Sequence, residues 1–383
     1  MTTPREQPPS RLLSLPAELL ACIAENCEAD DLLNLRLTCR ELTAASNDAF
    51  AECWFSTRYT LLADPTSMQN LVRITEAPHF CRKMKHLRFS LVVLQTSRTD
   101  YRQRVYENGG HPRQTREGRI QQRALRHVYL ELDNQAQTYR TTGAQKDFHA
   151  IMKNLADSKV GPLYVSMVDS IPDYETPDLP PAHQRLSKQL GYEGCLTRPT
   201  LVDNARFCMV MKAINVAKCP IKGLALGATS YPVLLAAFTG VTFLASLREL
   251  GLNFGIDTYH YLNRGPIVFE DGDRPAELVA LMDALLHSKQ LESLTLVQGT
   301  PGPIHLNTRC SSYQQAMFNG LIRYSELHQD EFLPALQTLE FNGWLSDISL
   351  LERFKELKAP TLSEVIVHGV QTVGRGHGPL LMV

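Results

Sequence analysis

The stretch LPAELLACIAENCEADDLLNLRLTCREL, residues 15–42, decides how the chain begins to fold. Eight of its 28 residues are leucine. Pro16 suits the first turn of a helix, where its missing N–H costs nothing, and Glu18 favours the same helix end. Leu19 and Ile23 then follow at helical spacing and begin an apolar stripe. The stretch therefore predicts a first helix that starts near Pro16.

Two further helices are expected after the first. Asp30 and Asp31 can cap and begin a second helix, which holds four leucines within six positions. Thr38 and Glu41 have the spacing of a capping box, which predicts a third helix that runs toward Phe50. Four leucines so close together point to more than one side of a helix. Because three helices in about 40 residues form a unit near the lower size limit of a domain, the remaining chain or another protein must cover the surplus leucines.

Two runs in this region, LPAELLACI (residues 15–23) and DLLNLRLTCREL (residues 31–42), resemble the F-box family. Members of that family fold this element as three helices and dock it on the Skp adaptor of a cullin–RING ubiquitin ligase. The resemblance assigns residues 11–56 to an F-box and implies the Skp adaptor, and through it a cullin–RING ligase, as partners. Many members have tryptophan where this chain has Leu42. The chain in this respect is similar to the divergent F-boxes of fungi.

The resemblance also implies which side chains meet the adaptor. Those predicted to bind it are Leu15, Pro16, Leu19, Leu32, Leu33 and Leu35. Ile23, Cys39 and Leu42 are expected to hold the helices together instead.

A short pattern, apolar-x-x-apolar-x-apolar, recurs after this region. The seven hexads are MKHLRF (84–89), LRHVYL (125–130), IKGLAL (221–226), LRELGL (247–252), LESLTL (291–296), LQTLEF (336–341) and LSEVIV (362–367). The last three positions of each alternate as a half-buried strand requires. Apolar residues at helical spacing precede four of the hexads, so a helix and a strand alternate along the chain.

The predicted fold class is therefore α/β, with an N-terminal three-helix F-box followed by an irregular leucine-rich-repeat-like α/β solenoid over residues 57–370. An open α/β sheet of parallel strands is the alternative. Insertions are predicted near 98–126 and 169–198, the first rich in arginine and the second rich in proline. The arginine-rich segment favours a solvated loop over a nucleic-acid contact. Residues 1–10 and 371–383 are predicted to be disordered tails.

The outward positions of the predicted strands offer a surface for a protein target. Side chains between the buried leucines face away from the core and line up when parallel strands stand side by side. The predicted target-binding residues are Tyr129, Asn253, Thr295, Glu340 and Asn342. The alternative is a solvated face with no ligand. The identity of the target is not indicated by the sequence.

Composition argues against a nucleic-acid-binding or membrane function and indicates the compartment. The 39 basic and 40 acidic residues leave no net charge to attract nucleic acid, and neither a signal peptide nor an apolar run long enough for a membrane is found. Nine scattered cysteines without a C-x-x-C pair predict reduced thiols, which places the protein in the cytoplasm or nucleus.

No phosphate-binding, zinc-binding or nucleophile motif occurs, so no cofactor and no catalysis are expected. The preferred function is the non-catalytic substrate receptor of a ubiquitin ligase. The alternatives are an interaction scaffold whose F-box does not join a ligase and an enzyme with an unrecognised site.

Overall fold

The computed structural model describes the chain in separate stretches. These are residues 12–62, 64–90, 143–168, 204–228, 241–254, 276–298, 308–342 and 359–368, with shorter pieces at 93–94, 131, 139, 196–197, 238, 345–346, 357 and 371–372. The hexad at 125–130, the insertion at 98–126 and the tail at 1–10 lie outside the described residues. The second insertion and the second tail lie outside them as well, apart from residues 196–197 and 371–372.

Four short helices form the N-terminal unit. They are α1 (Ala17–Glu25), α2 (Ala29–Thr38), α3 (Arg40–Ala45) and α4 (Asn47–Phe55). The predicted third helix is therefore two helices, which meet at the buried Ser46. The Ser46 hydroxyl donates to the carbonyl of Leu42 at 2.6 Å. The backbone N–H of Ser46 donates to the same carbonyl at 3.0 Å, so the hydroxyl adds a second bond where α3 ends.

The prediction of a capping box at Thr38 is wrong. Cys39, in extended backbone, occupies the N-cap position of α3. The Thr38 hydroxyl donates instead to the carbonyl of Leu35 at 2.7 Å, within the last turn of α2. A threonine at a helix end can bond backward to its own helix as well as forward to the next one, and here the backward bond wins.

Eight parallel strands follow and form a single sheet among the described residues. They are β1 (Thr57–Leu61), β2 (His86–Ser90), β4 (Leu163–Val168), β6 (Ile221–Ala228), β7 (Glu249–Phe254), β8 (Ser293–Gln298), β9 (Thr338–Asn342) and β11 (Glu364–His368). They stand in chain order across the sheet, and each pairs with the one before it. Two short pairs lie outside it, β3 (Val93–Leu94) with β5 (Leu196–Thr197) and β10 (Leu345–Ser346) with β12 (Gln371–Thr372).

Helices connect successive strands, as parallel pairing requires. They are α5 (Pro65–Glu76) and α6 (Pro78–Cys81) before β2, α7 (Ala144–Asp157) before β4, α8 (Asn204–Ala217) before β6, α9 (Ala276–His287) before β8 and α10 (Thr308–His328) before β9. A 3-10 turn, Phe243–Ser246, precedes β7. No helix in the described part of the chain is long and apolar enough to span a membrane.

The hydrophobic core lies between these helices and one face of the sheet. One register row of that face runs through Leu87, Val165, Leu224, Leu250, Leu294 and Leu339. Each of these side chains is at most 2% exposed. Because side chains alternate along a strand, the positions between them point to the opposite face of the sheet.

Six of the seven predicted hexads contribute strands to this sheet, so the α/β class and the parallel sheet are confirmed. The solenoid character stays a prediction. Strands β1 and β4 were not predicted. Val160, Leu163 and Val165 have the hexad spacing and would have located β4. No hexad marks the edge strand β1, where Arg58 pairs with Leu87 on the side of the core.

Candidate interaction surfaces

An apolar ridge crosses the outside of the N-terminal helices. It consists of Leu13, Leu15, Leu19, Ile23, Leu33 and Leu37, which are between 36% and 84% exposed. Leu19 and Ile23 are four residues apart on one side of α1, and Leu15 lies two residues before this helix begins. Leu33 and Leu37 form a stripe along α2. Exposed apolar side chains that occur together in one small unit, rather than singly, mark an interaction site.

The opposite sides of the same helices form their small core. Its buried side chains are Leu20, Ala24, Leu32, Leu42 and Ala51. Leu32 was predicted to meet a partner, but its side chain is only 2% exposed and lies inside the helical unit, so a contact of Leu32 with a partner stays a prediction.

Ile23 was expected to hold the helices together, but it is 38% exposed and belongs to the ridge. Leu42 is buried as expected. Of the other residues predicted to bind a partner, Leu15, Leu19 and Leu33 lie on the ridge. Pro16 is exposed at the start of α1, and Leu35 is half-buried.

Arg36 connects three of the four helices and was missed by sequence reasoning. Its Nη1 lies 3.1 Å from the carbonyl of Thr43, 3.4 Å from the Ser46 hydroxyl and 2.8 Å from the Asn47 side-chain oxygen. Its guanidinium carbon lies 4.1 Å from the ring centroid of Phe50, a cation–π distance. Arg36 thereby holds α2 against the break between α3 and α4. A charged residue in the middle of a leucine-rich helix is the sequence signal for such a role.

An aromatic cluster joins the helical unit to the sheet. The ring of Phe55 stacks on Phe80 with centroids 4.4 Å apart, and Phe50 packs edge-on against both. Ser56 alone separates α4 from β1, and its carbonyl accepts from the backbone N–H groups of Lys85 and His86. The helical unit is therefore packed against the first strands of the sheet.

The face of the sheet that points away from the core carries four of the five predicted target-binding residues. Thr295 and Glu340 are neighbours in one register row, and Asn253 lies in the next row with Asn342 two strands away. Their side chains are on this face because the alternate positions in the same strands are buried leucines and Phe341. Tyr129 lies outside the described residues.

Hydrogen bonds and ion pairs order part of this open face. The Thr295 hydroxyl donates to a carboxylate oxygen of Glu340 at 3.2 Å, and the other oxygen lies 4.0 Å from His368 Nε2. Lys222 and Glu249 form an ion pair at 2.9 Å. All these groups are at least partly exposed, so they remain accessible to a partner.

The part of the face formed by β2, β4 and β6 is more closely packed. His86 Nε2 lies 3.0 Å from the Ser166 hydroxyl, and burial lowers the pKa of His86, with the positive charge of Arg88 lowering it further. The His86 ring meets Tyr164 edge-on at 4.7 Å. The Tyr164 ring covers Gly223, where an added Cβ would lie 2.2 Å from a ring carbon.

Among the described residues, no three His, Cys, Asp or Glu side chains are grouped so that they could hold a metal ion. Cys81 and Cys219 are buried, and desolvation raises the pKa of both thiols.

Comparison with known protein families gives one match: residues 12–48 fit the family model of the F-box domain. The match covers α1 to α3 with the 3-10 turn before them and the start of α4, and thus contains the apolar ridge. No curated protein matches the chain.

Proposed function

We propose that this chain, an F-box protein, is the substrate-receptor subunit of a Skp–cullin–F-box ubiquitin ligase. In this role the F-box binds the Skp adaptor, and the C-terminal region captures a protein target for ubiquitination. The chain itself performs no chemistry and needs no cofactor. The observation that carries the proposal is the apolar ridge on the F-box, whose side chains are 36–84% exposed.

The ridge suits a protein partner of the Skp type for a physical reason. Seven of the ten large exposed apolar side chains among the described residues lie between Leu13 and Trp54. Burying exposed apolar surface of this kind yields about 25 cal/mol for each Å² removed from water. A partner that covers the apolar ridge would gain most from Leu19 and Leu37, which are 49% and 84% exposed.

The C-terminal region supports a repeat architecture of the leucine-rich type. Strands in chain order fit a solenoid, in which each repeat contacts its neighbours. The same forked backbone bond also recurs between strands: the carbonyls of Ser56, Arg248, Glu292 and Gln337 each accept two consecutive N–H groups at the start of the next strand. A lysine with positive φ follows each of α7 and α8, Lys159 and Lys218, and the next residue is buried in both cases. We therefore infer that the open face of the sheet is the target-binding face.

The proposed receptor acts in the cytoplasm or nucleus, where ubiquitin ligases of this type work. Free thiols are found at Cys22, Cys27, Cys39, Cys53, Cys81 and Cys219, in keeping with a reducing compartment.

The test is co-purification of the full chain with the Skp adaptor. Leu19→Ala combined with Leu33→Ala should reduce adaptor affinity at least about thirtyfold, since an anchor at the centre of an interface contributes about 2 kcal/mol or more. Leu327→Ala is the matched control, because Leu327 is 62% exposed on α10 and lies outside the F-box. Leu32→Ala should act differently and destabilise the helical unit by about 2–5 kcal/mol, because Leu32 is buried.

Equal recovery of adaptor by wild type and the double variant would refute the adaptor assignment. Recovery of adaptor without ubiquitination of any bound protein in a reconstituted ligase would favour an interaction scaffold instead.

A further inference from the structure

One register row of the open face runs from Tyr59 on β1 to Ile366 on β11. Its six inner residues, which we call the charge-ended row, are Arg88, Ser166, Ala225, Gly251, Thr295 and Glu340, with opposite charges at the two ends and small side chains between them. The charge-ended row crosses six adjacent strands. Neither hydrophobic nor helical patterns in the sequence reveal it, because its members come from six separate segments.

Arg88 provides the positive end. It is exposed, and no carboxylate pairs with it among the described residues. Its charge acts on the same face: burial lowers the pKa of His86 and the charge of Arg88 lowers it further, whereas burial raises the pKa of Tyr59 and the same charge offsets part of that rise. An exposed guanidinium with five N–H donors, and without a paired carboxylate in the part of the chain that the structure describes, is suited to bind a carboxylate.

Glu340 provides the negative end. One carboxylate oxygen accepts from Thr295 at 3.2 Å, and the nearest cationic candidate is His368 at 4.0 Å. A carboxylate has about four lone-pair sites, so these contacts leave room for a further donor. Glu340 is therefore able to bind a lysine or arginine from a partner.

The side chains at the centre of the row are small and carry no net charge. A Cβ added to Gly251 would meet only the Cβ and Cα of Ala225, at 3.5 and 3.7 Å, so the space above this position is open. The nearby charge of Glu249 is neutralised by Lys222. Ala225, Gly251 and Thr295 are partly exposed, whereas Ser166 is only 4% exposed and its hydroxyl lies 3.0 Å from His86 Nε2. An extended segment between the charged ends would therefore contact the exposed members of the row and pass over Ser166.

The length of the row determines the spacing of the ligand charges. Five steps between strands at about 4.8 Å each place the two ends about 24 Å apart. An extended chain advances about 3.4 Å per residue, so about seven residues span this distance.

We propose that the charge-ended row binds an extended segment of the target that carries an acidic and a basic side chain about seven residues apart. The inference rests on the proposed function, since it names the class of target that the receptor takes. It commits to a protein segment rather than to a lipid or nucleic acid because both ends of the row carry charge and the signs are opposite. A polyanion would be repelled at Glu340.

The experiment selects peptides from a phage-displayed library of random dodecapeptides on the immobilised full chain. We expect wild type to enrich peptides with one acidic and one basic residue at this spacing. Arg88→Glu should enrich peptides with two basic residues, and Glu340→Arg peptides with two acidic residues. Each exchange should weaken the binding of a wild-type-selected peptide, measured by fluorescence anisotropy, about tenfold or more, because like charges then meet.

Matched controls separate the row from general charge effects. Arg323→Glu and Glu326→Arg make the same exchanges on the exposed side of α10 and should leave the selection unchanged. Gly251→Tyr should abolish binding by filling the centre of the row, whereas Gly251→Ala should retain it.

The inference is overturned if wild type enriches no peptides, or if the enriched peptides keep the same charges with both exchanged variants. Adaptor co-purification with the same variants distinguishes the two proposals. If wild type and the Leu19→Ala/Leu33→Ala variant recover equally little adaptor while wild type still selects the predicted peptides, the adaptor assignment fails and the charge-ended row stands.

Discussion

Replacing Arg36 with methionine should loosen α2 from α4 in the F-box while the parallel sheet stays folded. Methionine keeps the apolar stem of the side chain but removes every hydrogen-bond donor. The substitution therefore breaks the bonds of Nη1 to the Thr43 carbonyl, the Ser46 hydroxyl and the Asn47 oxygen, and it removes the charge above the Phe50 ring.

The magnitude follows from the number of N–H groups. Nη1 carries two hydrogens, so only two of its three acceptors are fully bonded at one time. A hydrogen bond from a charged donor contributes about 1.5–3 kcal/mol, and partial exposure favours the lower value. A cation–π contact adds about 0.5–1 kcal/mol. The acceptors can partly bond to water in the variant, so the expected loss is about 2–4 kcal/mol, a large share of the stability of so small a unit.

Hydrogen–deuterium exchange measured by mass spectrometry tests this on the full chain. Peptides from α2, α3 and α4 should exchange faster in Arg36→Met, whereas peptides from β7, β8 and β9 should not change. Arg36→Lys should be intermediate, since lysine keeps the charge but cannot reach several acceptors with a planar group. The reasoning is refuted if all three proteins exchange alike in α2 to α4, or if the sheet loosens together with the helices.

Two further predictions concern the sheet and the cysteines. Gly223→Ala should destabilise the protein by about 1–3 kcal/mol because the new Cβ would collide with the Tyr164 ring, and this cost should largely disappear in a Tyr164→Ala background. Urea denaturation of wild type, the two single variants and the double variant measures the free energies of unfolding. Strictly additive costs would contradict the contact. Desolvation raises the pKa of Cys219 to about 12, so at pH 8 iodoacetamide should label the exposed Cys22 and Cys53 well before Cys219; mass spectrometry of the labelled peptides reads the order, and simultaneous labelling would count against burial of Cys219.

The sequence predicts where the helices of the F-box lie better than it predicts which side of each helix is exposed. Apolar spacing locates α1 and α2 because it depends only on neighbours along the chain. Leu32 and Leu33 are adjacent leucines, however, and nothing within the helix decides which of them faces its neighbours. That choice depends on how α2 packs against α3 and α4, and Arg36 takes part in fixing it. The sequence therefore predicts an exposed Leu32 and a buried Ile23, whereas Leu32 is buried and Ile23 is exposed.

A similar limit applies to the sheet. Hexads locate six strands because the alternation of leucines is local to each strand. Register is a relation between strands, and the connections between them differ in length, so the meeting of Arg88, Gly251 and Glu340 in one row cannot be read from any single segment. The edge strand β1 is not predicted from the sequence for a different reason. Its one neighbour is β2, and an arginine is tolerated where the inner strands carry leucine or valine.

In the proposed receptor role the chain would act through position alone, and the junction between F-box and sheet fixes that position. A flexible linker would let a bound target sample a large volume and would lower its effective concentration at the attached enzyme. Here a single residue, Ser56, separates α4 from β1, and the stacked rings of Phe55 and Phe80 bridge the two parts. Ion pairs of Lys83 with Asp48 and of Lys85 with Glu52 lie at the same boundary. The open face is thereby held at a defined angle to the apolar ridge. A target on that face would present the same side to the ubiquitin-transferring enzyme in each encounter, which is the geometric condition for efficient transfer between two bound proteins.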